Sequence, residues 1–200
     1  MQSISETAYF ETGIGMNHFL FLNASVREPG HIGNTEELAR RAAQSLSADT
    51  EQTWVKLSEL QVPAFVDQRH TIGTYSMPEG DTKVLLDYTL KASDIVLVSP
   101  VYWYSAPSVL KTYLDHWSAW MRVPGVGFKE SMASKRLWVI TTSGDRIKAQ
   151  PMLDSYRLCA EFLGMAWMGS LWGKGGTPGA IQVDGTALNE ADLFFKSKSN

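Results

Sequence analysis

The chain has 200 residues, a formal net charge of −3 at pH 7, 44% hydrophobic residues and 20% charged residues. This is the profile of one folded globular domain, and it excludes a disordered chain or a strongly basic partner for nucleic acid. The lone cysteine, Cys159, excludes an intramolecular disulfide and a cysteine-based zinc site, and His18, His31, His70 and His116 fall without ligand spacing. No apolar run approaches a membrane span, and residues 1–6 lack a basic-then-apolar leader. A cytoplasmic protein with no membrane partner is therefore the expectation.

Residues 1–17 precede the first apolar run and read as an N-terminal extension to a single domain over residues 18–200. Phe19-Leu20-Phe21-Leu22 is apolar throughout, as a strand covered on both faces requires. The loop that follows, from Ser25-Val26-Arg27 to Gly33-Asn34-Thr35, has what a phosphate needs. Ser25 and Thr35 offer hydroxyls, Arg27 a forked cation, and Gly30 and Gly33 a close backbone approach at the opening of a helix. That helix, residues 35–48, carries Asn34 and Glu37 at capping-box spacing, so the same residues would serve equally as plain caps. Glu36 and Glu37 are poor neighbours for a dianion, with Arg27 placed to offset them. Trp54-Val55-Lys56-Leu57 reads as a second strand, with Lys56 marking a position nearer a sheet edge. Residues 60–80 are long for a loop, and a helix over residues 82–92 follows.

Ile95-Val96-Leu97-Val98 is the third strand and runs into Ser99-Pro100-Val101-Tyr102-Trp103-Tyr104-Ser105-Ala106-Pro107. Aromatics taken singly often cap a core. Three in a row between two prolines, at the carboxyl end of a buried strand, point instead to a flat ring that is stacked or shielded from water. The helix over residues 108–121 places Leu110, Tyr113, Leu114, Trp117 and Met121 at helical spacing; His116, Trp117 and Trp120 read as core or subunit packing, and Lys111 with Asp115 as a surface ion pair. Leu137-Trp138-Val139-Ile140 is a fourth strand. Thr141-Thr142-Ser143-Gly144-Asp145 after it would make an ordinary turn, or would aim small donors at the pyrimidine edge of an isoalloxazine and favour its anionic reduced form. A helix over residues 151–164 opens with proline and ends with glycine, and Cys159 on it packs as a small hydrophobe. Met165-Ala166-Trp167-Met168 is a weaker fifth strand, and residues 188–196 form a last helix.

Five alternations of strand and helix define an α/β class with a parallel sheet. The common five-stranded winding is 2-1-3-4-5, a three-layer sandwich with helices on both faces. It brings the loops after strands 1 and 3 together at the switch point, where such folds bind ligands. Other sheet enzymes fit worse. Gly13-Ile14-Gly15 precedes the first strand rather than following it, Gly173-Lys174-Gly175-Gly176-Thr177 lacks Walker spacing, and there is no Gly-x-Ser-x-Gly elbow.

The pattern Ser25-x-Arg27, Gly33-Asn34-Thr35, then Pro100 through Pro107 leading to Leu110-Lys111 and Asp115, resembles the flavodoxin-like NAD(P)H-dependent FMN reductases and quinone reductases. Leu171-Trp172-Gly173-Lys174-Gly175 with Pro178-Gly179 resembles the tail of that family. The resemblance implies non-covalent FMN, with phosphate on Ser25, Arg27, Gly33, Asn34 and Thr35. It implies ring contacts from Pro100, Val101, Tyr102, Trp103, Tyr104, Thr142, Ser143, Gly144 and Asp145. It implies NADPH or NADH as donor, a small-molecule acceptor (quinone, flavin, nitro or azo compound), and a homodimer or homotetramer. The flavin carries the chemistry, so no catalytic side chain and no metal is expected. Two departures stand out: the phosphate loop is extended by residues 28–32, and the cysteines some members carry after strand 2 have no counterpart here. The alternative readings are an electron carrier of flavodoxin type, which would be more acidic than −3, and a non-catalytic FMN-binding protein.

Overall fold

Three apolar runs, each about one strand long, lie side by side at the centre of the molecule and dictate its layers. In the computed structural model, which describes residues 17–28 and 30–196, the five strands are parallel and ordered β2-β1-β3-β4-β5. They are β1 (His18–Asn23), β2 (Glu51–Lys56), β3 (Asp94–Val98), β4 (Arg136–Ser143) and β5 (Ala166–Lys174). The connecting helices are α1 (Asn34–Ala43), α2 (Gly80–Lys91), α3 (Ser108–Trp120), α4 (Phe128–Ala133), α5 (Gln150–Leu163) and α6 (Gly185–Ala191). The expected N-terminal extension, apart from Asn17, lies outside the described residues.

Side-chain alternation along each strand sorts the core into two slabs. Phe19, Phe21, Val96, Val98, Trp138 and Ile140 face α1, α6 and the pair Phe194 and Phe195. Leu20, Leu22, Ile95, Leu97, Leu137 and Val139 face α2, α3, α4 and α5. Each fully buried Leu or Phe contributes about 1.5–3 kcal/mol, so the three central strands are the most firmly specified part of the chain. The chain moves from β1 to β2 in one direction and from β3 to β4 in the other, so right-handed crossovers put α1 and α3 on opposite faces and open a crevice between their first turns. Among the described residues no helix is long and apolar enough to cross a membrane.

Element boundaries differ from the sequence reading where local chemistry competes with periodicity. Strand β5 runs on to Lys174 rather than stopping at residue 168; a register irregularity opposite Leu137 and Val139 and the left-handed Gly169 (φ 91°) break its pattern. Helix α6 starts at Gly185, not residue 188, because the Asp184 carboxylate accepts the Ala187 N–H at 3.1 Å. Helix α1 ends at Ala43 rather than residue 48, and the six-residue α4 was too short to show a period. The expected capping box at Asn34 does not form: Gly33 is the N-cap, and no side chain caps the helix.

The long segment before α2 is tied down rather than loose. The Tyr75 hydroxyl accepts the Gln68 N–H at 2.7 Å and donates to the Val66 carbonyl at 3.2 Å, while the Phe65 and Tyr75 rings stack 6.0 Å apart. His116 departs from simple core packing: its Nε2 lies 2.8 Å from the Pro63 carbonyl and holds this segment on α3. Lys111 and Asp115 form the expected surface pair at 2.5 Å.

Candidate active site

The loop after β1 is set by the last residue of that strand. The Asn23 side-chain carbonyl accepts the Ser25 N–H at 3.0 Å, and its amide donates to Glu36 Oε2 at 2.8 Å. These two bonds turn the chain out of the sheet toward α1. The Arg27 side chain then folds back across Gly33, where an added Cβ would stand 3.0 Å from its Nε. A side chain at 33 would therefore have to displace the Arg27 side chain by a few tenths of an ångström. The Arg27 guanidinium has no hydrogen-bond or ion-pair partner among the described residues.

At the first turn of α1, the earliest helical bond is Glu37 N–H to the Gly33 carbonyl at 3.0 Å. The amides of Asn34, Thr35 and Glu36 precede it and, as in any uncapped helix, have no intrahelical acceptor. The Asn34 side chain is turned away to the C-terminal segment, donating to the Thr177 carbonyl at 2.9 Å and accepting from Ile181 N–H at 3.4 Å. The feared repulsion from Glu36 is disarmed: its buried carboxylate takes both Nε and Nη2 of Arg40 (2.9 and 2.7 Å) as well as the Asn23 amide. Its charge is consumed before any ligand arrives.

The second loop leaves β3 through Ser99, whose Oγ lies 2.9 Å from the Tyr156 hydroxyl and whose carbonyl accepts from Thr141 Oγ at 2.6 Å. Burial pushes the Tyr156 phenol well above its usual range, so it stays protonated and serves as a fixed anchor. Beyond it, Tyr102 and Ser105 exchange N–H···O bonds of 3.1 and 3.0 Å and close a two-residue hairpin. Its central residues, Trp103 (φ 51°) and Tyr104 (φ 63°), are the only non-glycine residues in left-handed conformation among the described residues. Such turns ordinarily take Asn-Gly, and each bulky residue there costs about 1–2 kcal/mol. Trp103 is also 93% exposed. Strain and exposure are accepted together at one point, and what they achieve is to present rings at the cavity.

The third wall is the end of β4. Thr142 Oγ meets Thr35 Oγ at 2.5 Å, which ties this wall to α1. Ser143 Oγ donates to the Asp145 carbonyl at 2.6 Å and accepts from Trp172 Nε1 at 2.8 Å. Gly175 closes against it, where a Cβ would lie 3.1 Å from Thr142 and 3.2 Å from the Ser143 nitrogen.

Between these walls lies a cavity of about 380 Å³. Ser25, Arg27, Gly33, Asn34 and Thr35 line it from the first loop, Pro100, Val101, Tyr102, Trp103 and Tyr104 from the second, and Thr142, Ser143 and Gly144 from the third. Asp145 stands outside the lining: its carboxylate accepts the Ile147 N–H at 3.1 Å and caps the short 3-10 turn Arg146–Ala149. Glu36, Lys148 and Gly176 line the cavity without having been singled out in the sequence. Glu36 showed only as an obstacle to anion binding. Lys148 sits in a polar stretch with no pattern of its own, and Gly176 arrives from the tail.

The donor set fits FMN. Uncapped helix amides, two hydroxyls and an unpartnered guanidinium suit its phosphate, and an aromatic hairpin facing small polar groups suits a flat ring with one polar edge.

A family model described as flavodoxin-like fold matches residues 17–190. The NAD(P)H-dependent FMN-containing oxidoreductase so named in Bacillus subtilis (strain 168), YwqN, is 30% identical over 167 residues, covering 82% of this chain and 90% of its own length. Among solved structures, the Trp repressor binding protein from Bacillus subtilis superposes with a TM-score of 0.68 at 27% identity, over 91% of this chain and 99% of its own. An FMN-dependent NADH-azoreductase from Bacillus anthracis, solved with FMN, has a TM-score of 0.64 at 17% identity, over 92% and 100% of the two chains. At that identity the likeness is one of fold. The chain belongs to the flavodoxin-like family of NAD(P)H-dependent FMN reductases that its loops resemble.

Proposed function

We propose that the protein is an FMN-dependent oxidoreductase that passes a hydride from NADPH or NADH to a small acceptor of the quinone, flavin, nitro or azo class. The observation that carries this reading is a convergence. The uncapped first turn of α1, with Arg27 beside it, opens into the same cavity as the strained aromatic hairpin. FMN, when bound, supplies the two-electron chemistry. Arg27, Ser25 and the amides of residues 34–36 hold its phosphate. Thr142, Ser143 and Gly144 address its polar edge, and Tyr102, Trp103 and Tyr104 limit water and shape the space left for donor and acceptor. Thr35 and Thr142 share one short hydroxyl contact, so the phosphate wall and the ring wall are held at a fixed spacing.

A homodimer or homotetramer fits the surface at the carboxyl ends of the strands. Val26 and Ile32 are exposed there, an apolar fringe that a second copy would cover. The decisive test is anaerobic titration of the FMN-loaded protein with NADPH, and then NADH, while following flavin absorbance. Bleaching of the oxidised band is expected. Flavin that remains oxidised under both donors would leave a carrier or binding protein as the better account.

A further inference from the structure

Most cations of this chain are spoken for. Arg40, Arg41, Arg69, Arg136 and Arg157 hold carboxylates, as do Lys56, Lys83, Lys91 and Lys111. Lys135 and Arg122 donate to carbonyls, and Lys129 lies over Phe162. Side-chain cations without a hydrogen-bond, ion-pair or ring partner among the described residues are few. Apart from Lys196 in the last turn, they are Arg27, Arg146, Lys148 and Lys174, all at the carboxyl edge of the sheet. Of the carboxylates in the loops after β1, β3, β4 and β5, Asp145 is engaged by Ile147 N–H and Asp184 by Lys174 N–H and Ala187 N–H, leaving Glu28. Four free cations thus stand with three carboxylates, Glu28, Asp145 and Asp184, at the carboxyl ends of the strands, and of the four Arg27 and Lys148 line the cavity.

Arg27 is accounted for by the FMN phosphate; Lys148 is not. It lines the cavity from the exposed 3-10 turn Arg146–Ala149, with Arg146 two residues earlier on the same turn. The turn is held in shape by the Asp145 cap and by Ser143 Oγ on the Asp145 carbonyl, while Ile147 on it is 74% exposed. An ordered turn that presents cations to solvent at a cavity mouth suits an anion that comes and goes. A buried wall would suit a resident one.

We propose that Lys148, supported by Arg146, binds a phosphate of the nicotinamide dinucleotide donor and so determines donor affinity. This rests on the reading of the protein as a dinucleotide-dependent FMN reductase. Two phosphate sources share this chemistry: the pyrophosphate common to both donors and the 2′-phosphate found on NADPH alone.

The test uses FMN-loaded protein titrated with NADP⁺ and with NAD⁺, which bind without turnover, alongside the FMN dissociation constant. Lys148→Met is expected to weaken NADP⁺ binding about tenfold, the size of one charge-assisted phosphate contact. Lys148→Arg should restore most of it, and FMN affinity should stay within about twofold of wild type in both variants. Equal weakening of NADP⁺ and NAD⁺ would assign the contact to the pyrophosphate, and weakening of NADP⁺ alone to the 2′-phosphate. The proposal is overturned if both dinucleotides bind Lys148→Met as they bind wild type, if wild type binds neither, or if the loss falls on FMN instead. Failure of the reductase reading shows separately, as wild-type flavin that NADPH does not bleach although NADP⁺ binds.

Discussion

Trp103 offers the sharpest test of whether the aromatic hairpin is kept for function at a cost in stability. At φ 51° its backbone sits in a region that asparagine enters far more readily than a bulky aromatic residue. The left-handed conformation costs about 1–2 kcal/mol. Against that, a side chain left 93% exposed buries almost nothing, so its removal forfeits little of the 1.5–3 kcal/mol that a fully buried aromatic would contribute. Trp103→Asn should therefore stabilise the FMN-free protein by about 1 kcal/mol, which for a chain of this size is roughly 2–4 °C in melting temperature. The same variant should show an altered ranking of quinone, nitro and azo acceptors, because the ring that shapes the open side of the cavity is gone. Thermal unfolding of the FMN-free protein and an acceptor panel on the loaded enzyme read the two effects. A lower melting temperature would refute the reasoning, since it would mean that Trp103 is buried against something in solution, with a second copy the first candidate. An unchanged acceptor ranking would refute its role at the site.

Arg27→Ala should weaken FMN binding about 10- to 100-fold, the range for losing a hydrogen-bonded contact to a charged group. Riboflavin, which lacks the phosphate, should bind both proteins alike, and equal losses for the two ligands would remove Arg27 from the phosphate. Gly173→Ala drives a Cβ into Ile181 Cδ1 and to 3.0 Å from Leu38 Cδ2, so overpacking should cost about 1–3 kcal/mol in denaturant unfolding; an unshifted midpoint would show that α1 and the Ile181 turn yield freely. His18 is buried with Nε2 on Thr53 Oγ1 at 2.8 Å, and desolvation, only partly opposed by Glu51, holds its pKa below 6.5. The folded state then binds fewer protons than the unfolded state, so its contribution is complete above about pH 6.5 and is lost as pH falls from there through the lowered folded value. His18→Gln should flatten that part of the stability–pH curve, and an identical slope in the variant would contradict the assignment.

The central architecture was legible because β1, β3 and β4 are buried on both faces, and burial writes itself into sequence as unbroken apolar runs such as Phe19-Leu20-Phe21-Leu22. β5 was legible only in part, since Gly169, Ser170 and Gly173 serve a register irregularity and close packing against Ile181 rather than a pattern. The site follows the same division. Cavity-lining residues in the loop directly after a buried strand, such as Ser25, Arg27 and Tyr102, were legible because the strand end marks the place. Lys148 and Gly176 were missed because tertiary structure brings them in from a featureless turn and from the tail. Asn34 is the instructive case. As a cap, its side chain would take the free N–H groups of α1, the same donors that a phosphate needs, so the capping and phosphate readings of Gly33-Asn34-Thr35 compete for one set of hydrogen bonds. The structure sends the Asn34 side chain to Thr177 and Ile181 instead and puts Gly33, which has no side chain, at the cap. A helix in a domain this well packed would gain about 1 kcal/mol from a side-chain cap. Forgoing it makes sense where a bound anion takes the cap's place.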